Sequence, residues 1–196
     1  MEMLRQRRFL GILGILLPIV DWISAVVFGG NHPLLPSISS TYYMNSSALF
    51  VGLVFATGVF LIFYEGYDIK DFWLSKVAGA AGITLVLFPC YYGLINHNFL
   101  MIPMSISNVV HLVSALIFFG SLFWIIEFQF TKGKNVKRNR VYKICGWIML
   151  GGLVFGFGGA RLFDFDWFVY LGEAIALWAF GIAWLIKGQL LMKDKN

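Results

Sequence analysis

Long apolar runs alternate along the chain with short polar stretches where its charges collect. A helix needs about 20 mainly apolar residues to cross the roughly 30 Å hydrocarbon layer of a bilayer. Six runs meet that requirement, at about 9–29, 46–64, 77–95, 106–127, 142–160 and 167–187. The first follows a basic leader, Arg5-Gln6-Arg7-Arg8, as the core of a secretory signal does. Its apolar run is too long for that role, and no small-x-small cleavage site precedes Asn31, so it reads as a retained span. The pattern predicts an all-α fold, a polytopic membrane bundle of six transmembrane helices forming a single domain over 1–196.

The polar stretches assign the two faces. The N-terminus, the stretches between spans 2 and 3 and between spans 4 and 5, and the C-terminus together hold 14 of the 15 Lys and Arg residues, leaving Arg161 on the other side. Short cytoplasmic loops carry such an excess of Lys and Arg. Both termini are therefore expected in the cytoplasm, as six crossings require.

Composition agrees: 59% of the residues are hydrophobic and 13% charged, with mean hydropathy +0.78. A soluble domain is about half apolar and a quarter charged, so an ordinary soluble fold and a disordered chain are both excluded. The net charge of +5 implies no nucleic-acid partner, because the basic residues sit between spans rather than on one face. Cys90 and Cys145 fall in different spans near opposite faces and are expected to stay unpaired. Gly79 to Gly82, Gly152-x3-Gly156 and Gly158-Gly159 are expected at helix contacts. Pro18 and Pro89 should kink spans 1 and 3, and Asp71 or Ser75 should cap the third helix.

Ionisable groups within spans are costly and normally face the bundle interior, which makes them functional candidates. Asp21, His111 and Glu173 qualify. At ~1.5 Å per residue they lie about 12, 8 and 9 Å below the outer ends of their spans, in one layer. Ser114, Tyr91, Tyr92 and Tyr170 could line the same layer, and the outer stretch 30–45, with Ser39, is long enough to fold over the bundle mouth. Glu65, Glu127 and Lys187 lie at span ends, from which they can reach water.

These residues predict an outward-facing polar cavity that binds or handles a lipid or other amphiphile, with no enzymatic role. Two other readings stay open. One is an intramembrane lipid hydrolase using His111 with Asp21 or Glu173, and the other a structural or assembly subunit. No metal is expected, because His-x3-His and His-Glu-x2-His are both missing, and no cofactor is expected. The partners expected are membrane lipids, with a membrane-protein partner or a second copy of the chain.

Short motifs add a resemblance. Pro36-Ser37-Ile38-Ser39-Ser40, Phe50-Val51-Gly52, and His111 followed by Ser114-Ala115-Leu116-Ile117-Phe118-Phe119-Gly120 resemble segments of the DRAM-like six-span membrane family. Tyr64-Glu65-Gly66-Tyr67-Asp68 and the run from Arg140 to Trp147 are more similar to bacterial proteins of that layout. The resemblance implies a six-span architecture in a bacterial inner membrane. It emphasises His111 and the Ser37–Ser40 stretch, and supplies no catalytic residues.

Overall fold

The computed structural model describes residues 2–28, 35–91, 93, 96–165 and 167–193. Six long α-helices account for most of them: α1 (Glu2–Phe28), α2 (Ser47–Ile62), α3 (Ile69–Leu87), α4 (Met104–Trp124), α5 (Val136–Phe163) and α6 (Trp167–Lys187). A short 3-10 helix, Ser39–Tyr43, stands between α1 and α2. A π-type turn at Ile125–Gln129 and a 3-10 turn at Phe130–Lys132 prolong α4. No strand occurs among the described residues.

The third helix departs from the expected span, running over 69–87 rather than 77–95, and local chemistry accounts for both ends. The Asp68 carboxylate accepts hydrogen bonds from the Lys70 and Asp71 N–H groups, so Asp68 is the N-cap, not Asp71 or Ser75. Pro89 has no N–H to continue the ladder. It therefore lies beyond the helix end instead of kinking its interior. Pro18 does lie inside α1, as expected.

The helices run up and down. At one end, Arg7 of α1 meets Tyr64 between α2 and α3, Asp68 meets Lys132 beyond α4, and Lys187 of α6 donates to the Phe130 carbonyl at 3.0 Å. At the other end the 3-10 helix meets the end of α3, where the Tyr43 hydroxyl donates to the Cys90 carbonyl at 2.5 Å. In cross-section the packing order is α4, α3, α2, α1, α6, α5. That ring closes only lightly, because α4 and α5 touch far less than the other neighbours.

Glycines allow the closest crossings. A Cβ on Gly172 of α6 would lie 2.7 Å from the Gly156 Cα of α5, and one on Gly79 would lie 2.5 Å from the Gly58 carbonyl oxygen of α2. Backbone contact of this kind is what drives helices together where no water remains to be expelled. Gly152, Gly156 and Gly159 serve such contacts as expected, whereas Gly158 faces open space.

An aromatic core of Tyr64, Phe130, Tyr142, Phe180 and Trp184 fills the basic end, and Leu17, Ile38, Phe50, Val54, Val86 and Leu177 pack the other. The outer surface is also apolar: Leu116 is 76% exposed, Val154 66% and Trp147 61%. Soluble monomers rarely expose contiguous apolar area on this scale. Among the described residues, four segments have the length and composition to cross a membrane: α1, α4 with its extension, α5 and α6. Apolar α2 is shorter, and α3 carries Lys70, Asp71 and Lys76 in its first turns.

Candidate functional site

The 3-10 helix organises the end of the bundle opposite the basic one. Leu35 and Ile38 are buried, and so are Ser39, Ser40 and Thr41. Its turn is self-capped: Ser40 Oγ donates to the Ser37 carbonyl at 2.6 Å, and Thr41 Oγ1 to the Ile38 carbonyl at 2.6 Å. Part of the stretch expected at the bundle mouth thus packs into it, while residues 29–34 lie outside the described residues.

Two intramembrane carboxylates hold this segment. The Ile38 N–H donates to Glu173 Oε2 at 2.7 Å, and Thr41 Oγ1 lies 3.3 Å from Asp21 Oδ2. Asp21 is fully buried, and its Oδ1 has no hydrogen-bond partner among the described residues. Both carboxylates thus contact the same 3-10 segment, through Ile38 and Thr41. Glu173 is half-buried, and its remaining surface opens on two cavities.

The smaller cavity, about 50 Å³, lies inside the bundle and is lined by Ser39, His111 and Glu173 among apolar side chains. His111 is placed by the end of α3. Pro89 cannot donate to the Leu85 carbonyl as the residue four places on in a helix would. His111 Nδ1 takes that place, 3.1 Å from Leu85 O and 2.9 Å from Phe88 O. Facing two carbonyls, which can only accept, Nδ1 carries a proton and donates to them. The larger cavity, about 420 Å³, is a groove along the loosely closed seam between α4 and α5. Leu112, Leu116, Gly120, Leu150 and Val154 are among its apolar walls, and Glu173 is the charged residue that lines it.

The remaining candidates divide. The Tyr170 hydroxyl donates to the Pro18 carbonyl inside α1, beside the carboxylates. Ser114 is buried in α4 but lines neither cavity. Tyr91 is 59% exposed and its N–H donates to Asn108 Oδ1. Tyr92 lies outside the described residues. Among the described residues no three His, Cys, Asp or Glu side chains come close enough together to hold a metal ion.

The opposite end corrects two expectations. Glu127, expected to reach water, is buried in the π-type turn against Gly146, its Oε2 without a hydrogen-bond partner among the described residues. Lys187, likewise expected to reach water, is half-buried, its ammonium 4.5–5.3 Å from the ring centres of Tyr67, Phe130 and Tyr142. Arg7 is 4% exposed, with Nε and Nη2 on the Tyr64 hydroxyl and its guanidinium over Tyr67. Sequence reading missed these groups because each sits at a helix end or in the basic leader, where a charge normally reaches water. The signal available was Tyr64-x2-Tyr67, two rings beside the basic end. At the surface nearby, the Lys132 hydrogen bond holds the Asp68 carboxyl below its usual pKa.

An all-helical bundle with an apolar exterior and charges gathered at one end defines an integral membrane protein of several spans. Comparison with known proteins agrees. The chain is similar to the inner membrane-spanning protein YciB of Pseudomonas syringae pv. tomato and of Pseudomonas savastanoi pv. phaseolicola, at 31% identity over 81 residues in each case. The match covers 35% of this chain and spans 41% of the length of those curated relatives. No protein-family model matches the chain. No solved structure matches it. The protein is a multi-pass protein of the bacterial inner membrane.

Proposed function

We propose that the protein is a six-span membrane protein with both termini in the cytoplasm, as in the DRAM-like layout, and that it binds a lipid or related amphiphile. In this reading the acyl chain lies in the α4–α5 groove and the polar part reaches Glu173, beside Ser39 and His111. The observation that carries it is the position of Glu173, which borders both the apolar groove and the inner cavity that holds Ser39 and His111. A tail that moves from bilayer to groove leaves one hydrocarbon environment for another, so it gains packing contacts and little hydrophobic free energy. Retention and selectivity then rest on the polar contact, which gives an intramembrane carboxylate at the groove a purpose.

Gly120 offers a test. It lines the groove, and a Cβ added there meets nothing within 4 Å, so Gly120→Phe fills the groove without a backbone clash. Gly151→Phe, equally open but outside the groove lining, is the control. Lipids retained through purification are measured by mass spectrometry. One retained species should fall by about tenfold or more in Gly120→Phe, the equivalent of ~1.4 kcal/mol, and stay constant in Gly151→Phe. Equal retention in both variants contradicts the reading.

A further inference from the structure

We infer that the basic end of the bundle holds a second, independent binding site, for a phosphate group, in a pocket of about 340 Å³ between the start of α1, the start of α5 and the end of α6. Its lining includes four cationic side chains, Arg7, Lys134, Arg138 and Lys187, and no Asp or Glu. The amide of Asn139 and the ring of Tyr67 complete the walls used in this argument.

The cations are not all solvated ends of a basic loop. Arg7 is 4% exposed, and Lys187 is half-buried inside its group of rings. Neither Arg7 nor Lys187 has a described carboxylate at ion-pairing distance, and the Lys132–Asp68 pair lies outside the pocket lining. Arg7, Arg138 and Asp71 are near enough to Lys187 to act on its charge, two positive groups against one negative. Asp71 itself turns to the chain, its Oδ2 accepting from the Tyr67 N–H at 3.0 Å. Rings can partly offset a buried cation, but a cluster of cations held close together repels itself unless an anion joins it. Arg7 Nε and Nη2 already donate to the Tyr64 hydroxyl, and Arg138 Nε and Nη2 to the Met192 carbonyl. A phosphate oxyanion would therefore meet Nη1 of each guanidinium, with the ammonium groups acting as point charges.

Basic pockets between helices at the cytoplasmic end of a membrane protein suit lipid head groups, and aromatic walls suit the interfacial depth. A lipid phosphate and a free phosphate share the same recognition chemistry, and the experiment separates them. The full chain in mild detergent is exchanged with phosphatidylglycerol or with diacylglycerol, which has no phosphate, and the bound lipid is counted by native mass spectrometry. In parallel, thermal melts are recorded in inorganic phosphate and in chloride at equal ionic strength. The variants are Lys134→Gln/Arg138→Gln and, as a control of equal charge in α5, Arg140→Gln/Lys143→Gln, neither residue of which lines the pocket.

Phosphatidylglycerol should be retained in preference to diacylglycerol. That retention should fall about tenfold in Lys134→Gln/Arg138→Gln and hold in the control pair. A melting temperature raised by phosphate in the wild type and not in Lys134→Gln/Arg138→Gln, without a lipid preference, assigns the site to free phosphate. Equal losses in both double variants would show general charge attraction and overturn the site. So would the absence of both a lipid preference and a phosphate-dependent shift.

Discussion

Pro89 removes one backbone donor from α3, and His111 of α4 supplies a substitute. The exchange ties two helices together through a carbonyl that would otherwise be stranded away from water. His111→Ala should therefore destabilise the protein by about 1–3 kcal/mol, the usual cost of an orphaned buried polar group. Pro89→Ala restores an N–H to the chain, so His111→Ala should cost less in that background. A double-mutant cycle on thermal or denaturant unfolding checks this. Additive losses would mean that His111 does not act through the Leu85 carbonyl. Asp21, His111 and Glu173 were legible as candidates because ionisable residues stand out in apolar runs. What holds each of them was not legible. The partners are a backbone N–H, a threonine hydroxyl and two carbonyls, groups with no signature in a sequence.

Among the elements, the α5–α6 pair sets the tightest tolerance. The Gly156–Gly172 crossing leaves no room for a side chain on either helix. Gly172→Val should abolish folded protein or lower its stability by about 3 kcal/mol or more, in the range of severe packing defects. Gly158→Ala, where a Cβ meets open space, should be neutral or raise helix stability by up to about 1 kcal/mol. Size-exclusion profiles and melting curves of the two variants distinguish these outcomes. Equal tolerance of both substitutions would refute backbone contact as the basis of that pair. The glycine pattern showed that close contacts exist, yet it did not separate Gly156 from Gly158, since the choice depends on which face of α5 meets α6. The start of α3 was misplaced for a related reason. Lys70, Asp71 and Lys76 interrupt the apolar run, so hydropathy begins the element late, while the Asp68 cap begins it before those charges.

For the whole molecule, the alternation of apolar runs and basic stretches carried the all-helical membrane class and the gathering of charge at one end. The π-type turn after α4, the burial of Glu127 and the light contact between α4 and α5 emerge only from packing. The seam matters most, because it opens a groove from the apolar exterior toward Glu173, joining an element-scale gap to a residue-scale charge. Whether an amphiphile occupies this groove is tested by photo-crosslinking. A phospholipid with a photoreactive acyl chain is activated in membranes containing the protein, and labelled peptides are mapped by mass spectrometry. Labelling should concentrate at Leu116, Gly120, Leu150 and Val154 and be competed by unlabelled lipid. Labelling should be weak and uncompeted at Val109 and Trp147, which are exposed but do not line the groove. Uniform labelling of all exposed apolar positions, unchanged by competitor, would contradict occupancy of the groove.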